Sequence, residues 1–217
     1  MTDYLREVEE SMRAEKFARL WHEHGRLFIL ACVALVIGTA AQNAWVAYRD
    51  SQNEKATALM LNALKADDPT DQLLAIGKTG DSGDAALANL YAGNIFTQKS
   101  EWAAAISAYN NVIADKKAPD AYRDLATVQM VALQIDHDPK ADANAMLTAL
   151  TPISTSKTSA WVARATILSA VIKANKLHKY SDAVTTLKPL LADTNLPPEI
   201  AAQVSALSDV YAFKATK

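Results

Sequence analysis

Apolar residues are arranged differently before and after residue 49. Before it, one uninterrupted run without a formal charge extends from Leu27 to Tyr48. After it, alanine-rich segments with apolar residues three and four positions apart alternate with short polar breaks, and no segment alternates convincingly with period two. Helical spacing without strand spacing predicts an all-α fold.

Prolines stand at several of the breaks between the predicted helices. Pro119, Pro139, Pro152 and Pro198 each lie where one helix would end or the next begin, because proline lacks the amide hydrogen that a helix interior needs. Helices are predicted near residues 50–66, 84–97, 102–114, 119–135, 140–150, 159–175, 180–192 and 198–214. Residues 49–65 contain no helix breaker, so the first of these helices can be continuous with the apolar run.

The run from Leu27 to Tyr48 has the length of a transmembrane helix. Its 22 residues would span roughly 33 Å, about the thickness of the hydrocarbon core of a bilayer. Its nine Leu, Ile, Val and Phe residues favour insertion by about 3 to 5 kcal/mol. Trp45 and Tyr48 suit the headgroup layer at its far end. We therefore expect one N-terminal transmembrane helix, residues 27–48.

Basic residues around the expected span indicate its orientation. Four Lys and Arg residues lie within 15 residues before it and two within 15 after it, so the N terminus is predicted to be cytoplasmic and the C-terminal domain periplasmic. A cleaved signal peptide is the alternative, since residues 38–41 are small. Residues 1–26, however, have helical periodicity and mixed charge, which predicts a retained amphipathic segment. Residues 49–83 are predicted as a membrane-proximal helix and connector, and residues 84–217 as the folded repeats.

The helices beyond the span are predicted to form pairs that repeat. In the first pair, Gly93 precedes Phe96 by three residues, and Trp102, Ala105 and Tyr109 then follow, the last three at spacings of three and four. This arrangement resembles the tetratricopeptide repeat (TPR), in which a small residue lets two antiparallel helices approach and aromatic side chains fill the groove between them.

The core of the second helix recurs twice along the chain. Ala143 and Leu147 repeat it about 38 residues later, and Tyr180, Ala183 and Leu187 repeat it about 40 residues after that. A period near 39 exceeds the usual 34, so we predict a degenerate TPR-like α-solenoid. An irregular helical bundle with chance alanine spacing is the alternative.

The last predicted helix has the profile of a cap that closes the stack. Its apolar stripe consists of Ile200, Val204, Leu207 and Tyr211. The residues predicted to point away from that stripe are Gln203, Ser205, Ser208 and Asp209. One apolar and one polar side are what a terminal helix of a solenoid requires.

Composition excludes several other classes of function. Half of the 217 residues are hydrophobic, which is enough for one buried core beyond the anchor. Residues 49–217 carry 17 basic and 18 acidic residues, without the basic excess that nucleic-acid binding requires. Cys32 is the only cysteine, so no intramolecular disulfide can form. The fold must be stabilised by packing, and no nucleic-acid partner is expected.

Three short motifs resemble catalytic or metal sites but lack the required context. Gly77–Thr79 matches the end of a phosphate-binding loop, yet Gln72 stands where the first glycine should be. The motif around Ser82 resembles the nucleophile loop of trypsin-like proteases, which need two β-barrels; a turn or a helix cap fits better. Asp136–Asp138 are adjacent rather than at ligand spacing. We therefore expect no enzyme activity, no catalytic, metal or cofactor site, and no small-molecule substrate.

The whole arrangement resembles a known family. An amphipathic N terminus ending in LWHEHG, one span and a degenerate TPR-like domain look like the bacterial single-pass inner-membrane TPR proteins of the Sec translocon ancillary subunit family, in particular its alphaproteobacterial branch. Membership implies a periplasmic domain that contacts translocon subunits, a membrane-anchored periplasmic chaperone and exported polypeptides. The long repeat period and the polar Gln42 and Asn43 depart from that pattern.

Two functional interpretations follow from the resemblance and the repeats. The first is an accessory to the Sec translocon and periplasmic chaperones that handles newly exported proteins. The second is a TPR scaffold or adaptor that assembles another envelope complex, such as the cytochrome maturation, respiratory or division machinery. Stacked helix pairs can serve either role, because they form an extended surface that binds other chains without chemistry.

Small and polar residues also share one side of the expected span. Ala34 and Gly38 are four residues apart, and Gln42 and Trp45 continue along the same face. Such a face would let another membrane helix approach closely and share hydrogen bonds. The alternative is that the small residues only tolerate lipid and that Gln42 bonds to its own backbone.

Overall fold

The computed structural model describes the backbone of residues 2–216 and the side chains of Arg26, Leu30, residues 33–51 and residues 53–216. Within residues 2–216 it contains nine α-helices and no strand, so the all-α prediction is confirmed. The helices are α1 Thr2–Leu64, α2 Pro69–Thr79, α3 Ser82–Gln98, α4 Trp102–Ala114, α5 Asp120–His137, α6 Ala143–Ser154, α7 Val162–Asn175, α8 Tyr180–Leu191 and α9 Pro198–Ala215.

The chain divides into two units, Met1–Lys55 and Ala56–Lys217. In the first unit the described apolar side chains are exposed, from Leu30 at 65% to Tyr48 at 62%. Among the described residues, no helix carries a stretch both apolar and long enough to cross a membrane. Leu27–Ile29, Ala31 and Cys32 of the expected span lie outside the described side chains, as do those of residues 1–25. The transmembrane helix and the amphipathic segment therefore stay predictions.

Helix α2 was not among the helices expected from the sequence, which assigned its residues to a connector. It begins with Asp68 as the N-cap, whose carboxylate accepts a hydrogen bond from the Thr70 backbone N–H, and with Pro69 in the first turn. The hydroxyl of Thr70 and then the ammonium of Lys99 bond to Asp68 and lower the pKa of that carboxyl to about 2. Asp68 and Pro69, which lie between two predicted helices, are therefore the start of a further helix.

In the unit Ala56–Lys217 the helices from α3 onward form two layers. Each helix contacts the next one along the chain, and α3, α5, α7 and α9 also contact one another in succession. These odd-numbered helices form one layer. Helices α4, α6 and α8 form the other, and each contacts the odd-numbered helix before it and the one after it. This is the arrangement expected of stacked helix pairs.

Four buried clusters stabilise this unit, and alanines at helix contacts are central to each. Ala105, Ala126 and Ala165 are fully buried where neighbouring helices meet. The clusters centre on α3–α5 with Tyr109 and Val112, on α5–α7 with Leu150 and Ile172, on α7–α9 with Leu187 and Val204, and on α1–α4 with Met60 and Leu73. Small side chains let the helices approach, and the larger ones fill the remaining space.

Pro152 does not end a helix, contrary to the prediction. It lies inside α6, and Pro189 occupies the corresponding place inside α8. Both prolines lie in the last turn, where the missing amide removes one hydrogen bond. Leu150 and Leu187, close to the two prolines, are fully buried, so packing holds both helices together past the proline.

The turns inside the first and third pairs share an unusual backbone conformation. Ser100, between α3 and α4, has a φ angle of 61°, and His178, between α7 and α8, has a φ angle of 55°. Each lies two residues before the aromatic residue that begins the second helix, Trp102 or Tyr180. The middle pair joins α5 to α6 through residues 138–142 instead.

The outer side of α9 is less polar than predicted. Val204 and Tyr211 of the apolar stripe are buried as expected. Ser208, however, is buried with them, at 9% exposure, because it lies one helical turn after Val204. Val210 and Phe213 are instead 50% and 62% exposed. Helix α9 therefore presents apolar surface on both sides.

Candidate functional site

Gly93 of α3 lies directly against the ring of Tyr109 on α4. A Cβ atom on Gly93 would lie 2.7 Å from Cε1 of the tyrosine ring, nearer than non-bonded carbon atoms approach. The ring is 4% exposed, and burial raises the pKa of its hydroxyl. The predicted pairing of a small residue with an aromatic ring is thus present, and it places Tyr109 beneath the surface between α3 and α5.

A shallow groove of about 290 Å³ lies over this tyrosine, between α3 and α5. We call it the α3–α5 groove. The residues that line it are Leu90, Tyr91, Asn94, Tyr109, Leu125 and Gln129. Tyr91 is 41% exposed, and the carboxamides of Asn94 and Gln129 are exposed on the two facing helices. None of the six is Asp, Glu, Lys or Arg, so the groove offers apolar surface and neutral hydrogen-bonding groups.

A second groove, of about 480 Å³, lies on the opposite side of α5, between α4 and α6. Its rim is charged: Asp120, Arg123 and Asp124 line it. Part of its polar capacity is used, because Arg123 pairs with Asp120 and the hydroxyl of Ser159 donates to Asp124 at 2.6 Å. The Nε atom of Arg123 is buried without a hydrogen-bond partner among the described residues. Trp161 also donates its indole N–H to the carbonyl of Ala121 at 3.0 Å.

These bonds attach the connection between α6 and α7 to the start of α5, which gives the second groove a structural role. The α3–α5 groove has no such network among the side chains described for it. Its two carboxamides are accessible and can donate to and accept from the backbone of an extended chain. We therefore take the α3–α5 groove as the candidate binding site.

The structure places the predicted core residues in three successive clusters. Phe96, Trp102, Ala105 and Tyr109 belong to the cluster around α4. Ala143 and Leu147 belong to the next cluster. Tyr180, Ala183 and Leu187 belong to the cluster that α9 completes.

The predicted membrane-packing face lies in the first unit. Ala34, Gly38, Gln42 and Trp45 are all exposed, and a Cβ placed on Gly38 would meet no described atom within 4 Å apart from its own neighbours in the helix. Thr39 donates its hydroxyl to the carbonyls of Leu35 and Val36 within the helix. The partner of this face stays a prediction.

The three motifs that resemble chemical sites lie in ordinary helical positions. Gly77–Thr79 form the last turn of α2, and Ser82 is the first residue of α3. The ring of His137 stacks on Trp102, with centroids 3.6 Å apart. Within the part of the chain that the structure describes, no three His, Cys, Asp or Glu side chains converge as a metal site would require.

Sequence reasoning identified the residue beneath the α3–α5 groove but missed those at its surface. Tyr91, Asn94 and Gln129 lie outside the apolar spacing that indicates core positions. One signal was available: Tyr91 is a large aromatic residue next to Ala92, which is fully buried. Aromatic residues are enriched at protein interfaces, but one exposed aromatic residue does not by itself indicate a binding surface.

A family model described as a tetratricopeptide repeat-like domain matches residues 18–189. No curated protein and no solved structure matches the chain.

Proposed function

Because the chain belongs to the tetratricopeptide repeat-like domain family, a class of protein–protein interaction module, we propose that it is a membrane-tethered periplasmic protein that binds newly exported polypeptides beside the Sec translocon and periplasmic chaperones. The alternative that the sequence leaves open, a scaffold for another envelope complex, needs the same fold but different partners.

The observation that carries the binding role is the uncharged α3–α5 groove. Leu90, Tyr91 and Leu125 supply apolar contacts, and Asn94 and Gln129 supply neutral donors and acceptors. An extended, largely unfolded segment has apolar side chains and unpaired backbone amides, which match both features. A groove without charge does not discriminate among clients by charge, as a protein that handles many exported chains requires.

Membrane tethering and its direction are supported by the sequence. The 22 residues from Leu27 to Tyr48 carry no formal charge, and helix α1 runs through them without a break. Basic residues are concentrated on the N-terminal side, which favours a cytoplasmic N terminus and a periplasmic domain. A tether raises the local concentration of a weak binding site near the membrane, so modest affinity would suffice.

We propose that the protein acts without catalysis. The Ser82 and His137 positions have the roles of a helix start and a stacked ring, and neither geometry prepares a nucleophile or a general base. Measurable turnover that is lost on substitution of either residue would overturn this part of the proposal.

The experiment is affinity purification of the full-length chain from gently solubilised membranes, followed by mass spectrometry. We expect translocon subunits and periplasmic folding factors with the unmodified chain. The double variant Asn94→Ala, Gln129→Ala should recover at least about tenfold less exported polypeptide, which corresponds to about 1.4 kcal/mol of binding free energy. The matched control is Asn144→Ala, which removes an exposed carboxamide from α6 instead.

Each part of the proposal can fail separately in this design. Recovery of cytochrome maturation, respiratory or division components without the translocon would favour the scaffold. Equal recovery of clients by the groove variant and the Asn144→Ala control would rule out the α3–α5 groove as the binding site.

A further inference from the structure

Helix α9 has an exposed stripe with the spacing of a coiled-coil seam. Gln203, Ala206, Val210 and Phe213 are all exposed and follow one another at intervals of three, four and three. The face about opposite to this stripe packs on α7 and α8 through Val204. Residues that alternate at intervals of three and four occupy the a and d positions of a heptad. In this register Gln203 and Val210 are a residues, and Ala206 and Phe213 are d residues.

Two opposite charges flank this seam at the positions that determine pairing. In the same register Asp209 is a g residue and Lys214 is an e residue. In a parallel pair of helices the g residue of one chain faces the e residue five positions later on the other, which here joins Asp209 to Lys214 twice. In an antiparallel pair g faces g and e faces e, which would oppose like charges. The charge pattern therefore favours a parallel partner identical to α9.

The surface beside the seam has room for a side chain of that partner. An open groove of about 730 Å³ is lined by Tyr180, Asp209, Val210, Phe213 and Lys214. A d residue of a facing helix inserts between a, d and e residues, and Val210, Phe213 and Lys214 are those three. The Lys214 ammonium lies 5.5 Å from the ring centroid of Tyr180, an attraction that holds it at the edge of the groove.

We propose that a second copy of this chain docks on α9 to form a parallel, in-register homodimer about a two-fold axis. Phe213 of each copy enters the groove of the other, and the two Asp209–Lys214 pairs flank the seam. The seam covers about two heptads, so the dimer depends on concentration. This interface is separate from the α3–α5 groove and does not rest on the proposed function.

Charge exchange tests the pairing in the full-length chain, purified in mild detergent. Sedimentation equilibrium should show dimers for the unmodified protein. Asp209→Lys and Lys214→Asp alone should each weaken association at least about tenfold, because both ion pairs become repulsive. An equimolar mixture of the two variants should restore it as a heterodimer, since each chain then carries one sign of charge. Circular dichroism verifies that each variant is folded.

A cysteine on the seam tests the register independently. In a Cys32→Ser background, Val210→Cys should form an intermolecular disulfide on mild oxidation, because equivalent a residues face each other in a parallel pair. Ala212→Cys, exposed on another side of α9, is the matched control and should remain reduced.

Several results would overturn the proposal. The proposal is wrong if the unmodified protein is a monomer. It is also wrong if either single charge variant associates as strongly as the unmodified protein, or if the mixture of the two variants stays dissociated. Equal crosslinking at positions 210 and 212 would also exclude this interface. Since Asn94→Ala with Gln129→Ala leaves α9 unchanged, that variant should dimerise normally whether or not it binds clients.

Discussion

The first and third helix pairs, α3–α4 and α7–α8, have the same spacing but fill it differently. The corresponding positions are Ser100 and His178, Trp102 and Tyr180, Ala105 and Ala183, and Val112 and Leu190. In both pairs the alanine is fully buried and the turn residue has a positive φ angle. The chain path is therefore repeated, including its one strained residue.

The difference lies in how volume is divided between the two helices. Gly93 of α3 faces the ring of Tyr109 on α4. At the corresponding positions of the third pair stand Val171 on α7, which packs on its cluster, and Leu187 on α8, which is 0% exposed. A smaller residue on the second helix accompanies a larger one on the first. The two pairs therefore pack closely with different residues at corresponding positions.

The middle pair shows what happens when the turn changes. Helices α5 and α6 are joined by residues 138–142, and among the described non-glycine residues the positive φ angles are those of Ser100 and His178. Lys176 of the next pair donates its ammonium to the carbonyl of Asp138 at 3.0 Å, which ties this longer turn to α7. A longer turn tolerates a different approach of the two helices, so the period of the repeat varies.

The largest effect is expected from truncation of the aliphatic core of the third pair. Leu187→Ala should lower the free energy of unfolding by about 2 to 5 kcal/mol, because it leaves a cavity at a fully buried position. Urea titration followed by circular dichroism measures the change. Leu191→Ala is the control, since Leu191 is 47% exposed. Equal losses for the two variants would mean that Leu187 does not fill the pair.

A smaller loss of stability is expected from adding a side chain at Gly93, the glycine at the contact of the first pair. Gly93→Ala should destabilise the chain by about 1 to 3 kcal/mol, because the new methyl group overlaps the buried ring of Tyr109. Gly83→Ala, also in α3, has open space around its Cβ and should stabilise the helix by about 0.5 to 1 kcal/mol. Opposite signs in the same urea titration would support the close contact; equal signs would argue against it.

A double variant tests whether volume is exchanged between the helices of a pair. Tyr109→Leu brings the first pair closer to the composition of the third, so Gly93→Ala should cost less in its presence. We expect a coupling free energy of about 0.5 to 3 kcal/mol from a double-mutant cycle. Additive effects would show that the two positions are energetically independent, contrary to the comparison.

The smallest effect concerns the turns that the two pairs share. Ser100→Gly should stabilise the chain by up to about 1 kcal/mol, because glycine adopts a positive φ angle without steric cost. His178→Gly should gain less, since it also loses the edge contact with the Tyr180 ring, whose centroid is 6.5 Å away. Thr185→Gly, in the middle of α8, is the control and should be destabilising. The thermal midpoint is the measurement, and a larger gain at position 178 would contradict the ranking.

Local periodicity determined most of the helices. Helix α4 begins and ends at the predicted residues, 102 and 114, because apolar residues at helical spacing fill it and polar breaks flank it. Helix α2 escaped prediction because it has 11 residues between two apparent breaks and is stabilised by its contact with α3. Pro152 and Ser208 were misassigned for a related reason: burial of their neighbours outweighed the local preference.

The sequence by itself determined the helical class, the core positions that include Gly93 and Tyr109, and the recurrence of that core along the chain, because spacings of three and four are local properties of a helix. Only the tertiary structure decided the candidate site. Asn94 and Gln129 lie on different helices, and the contact between α3 and α5 brings them to one groove. Which exposed side chains converge depends on how helices far apart in sequence pack, and a one-dimensional pattern does not contain that information.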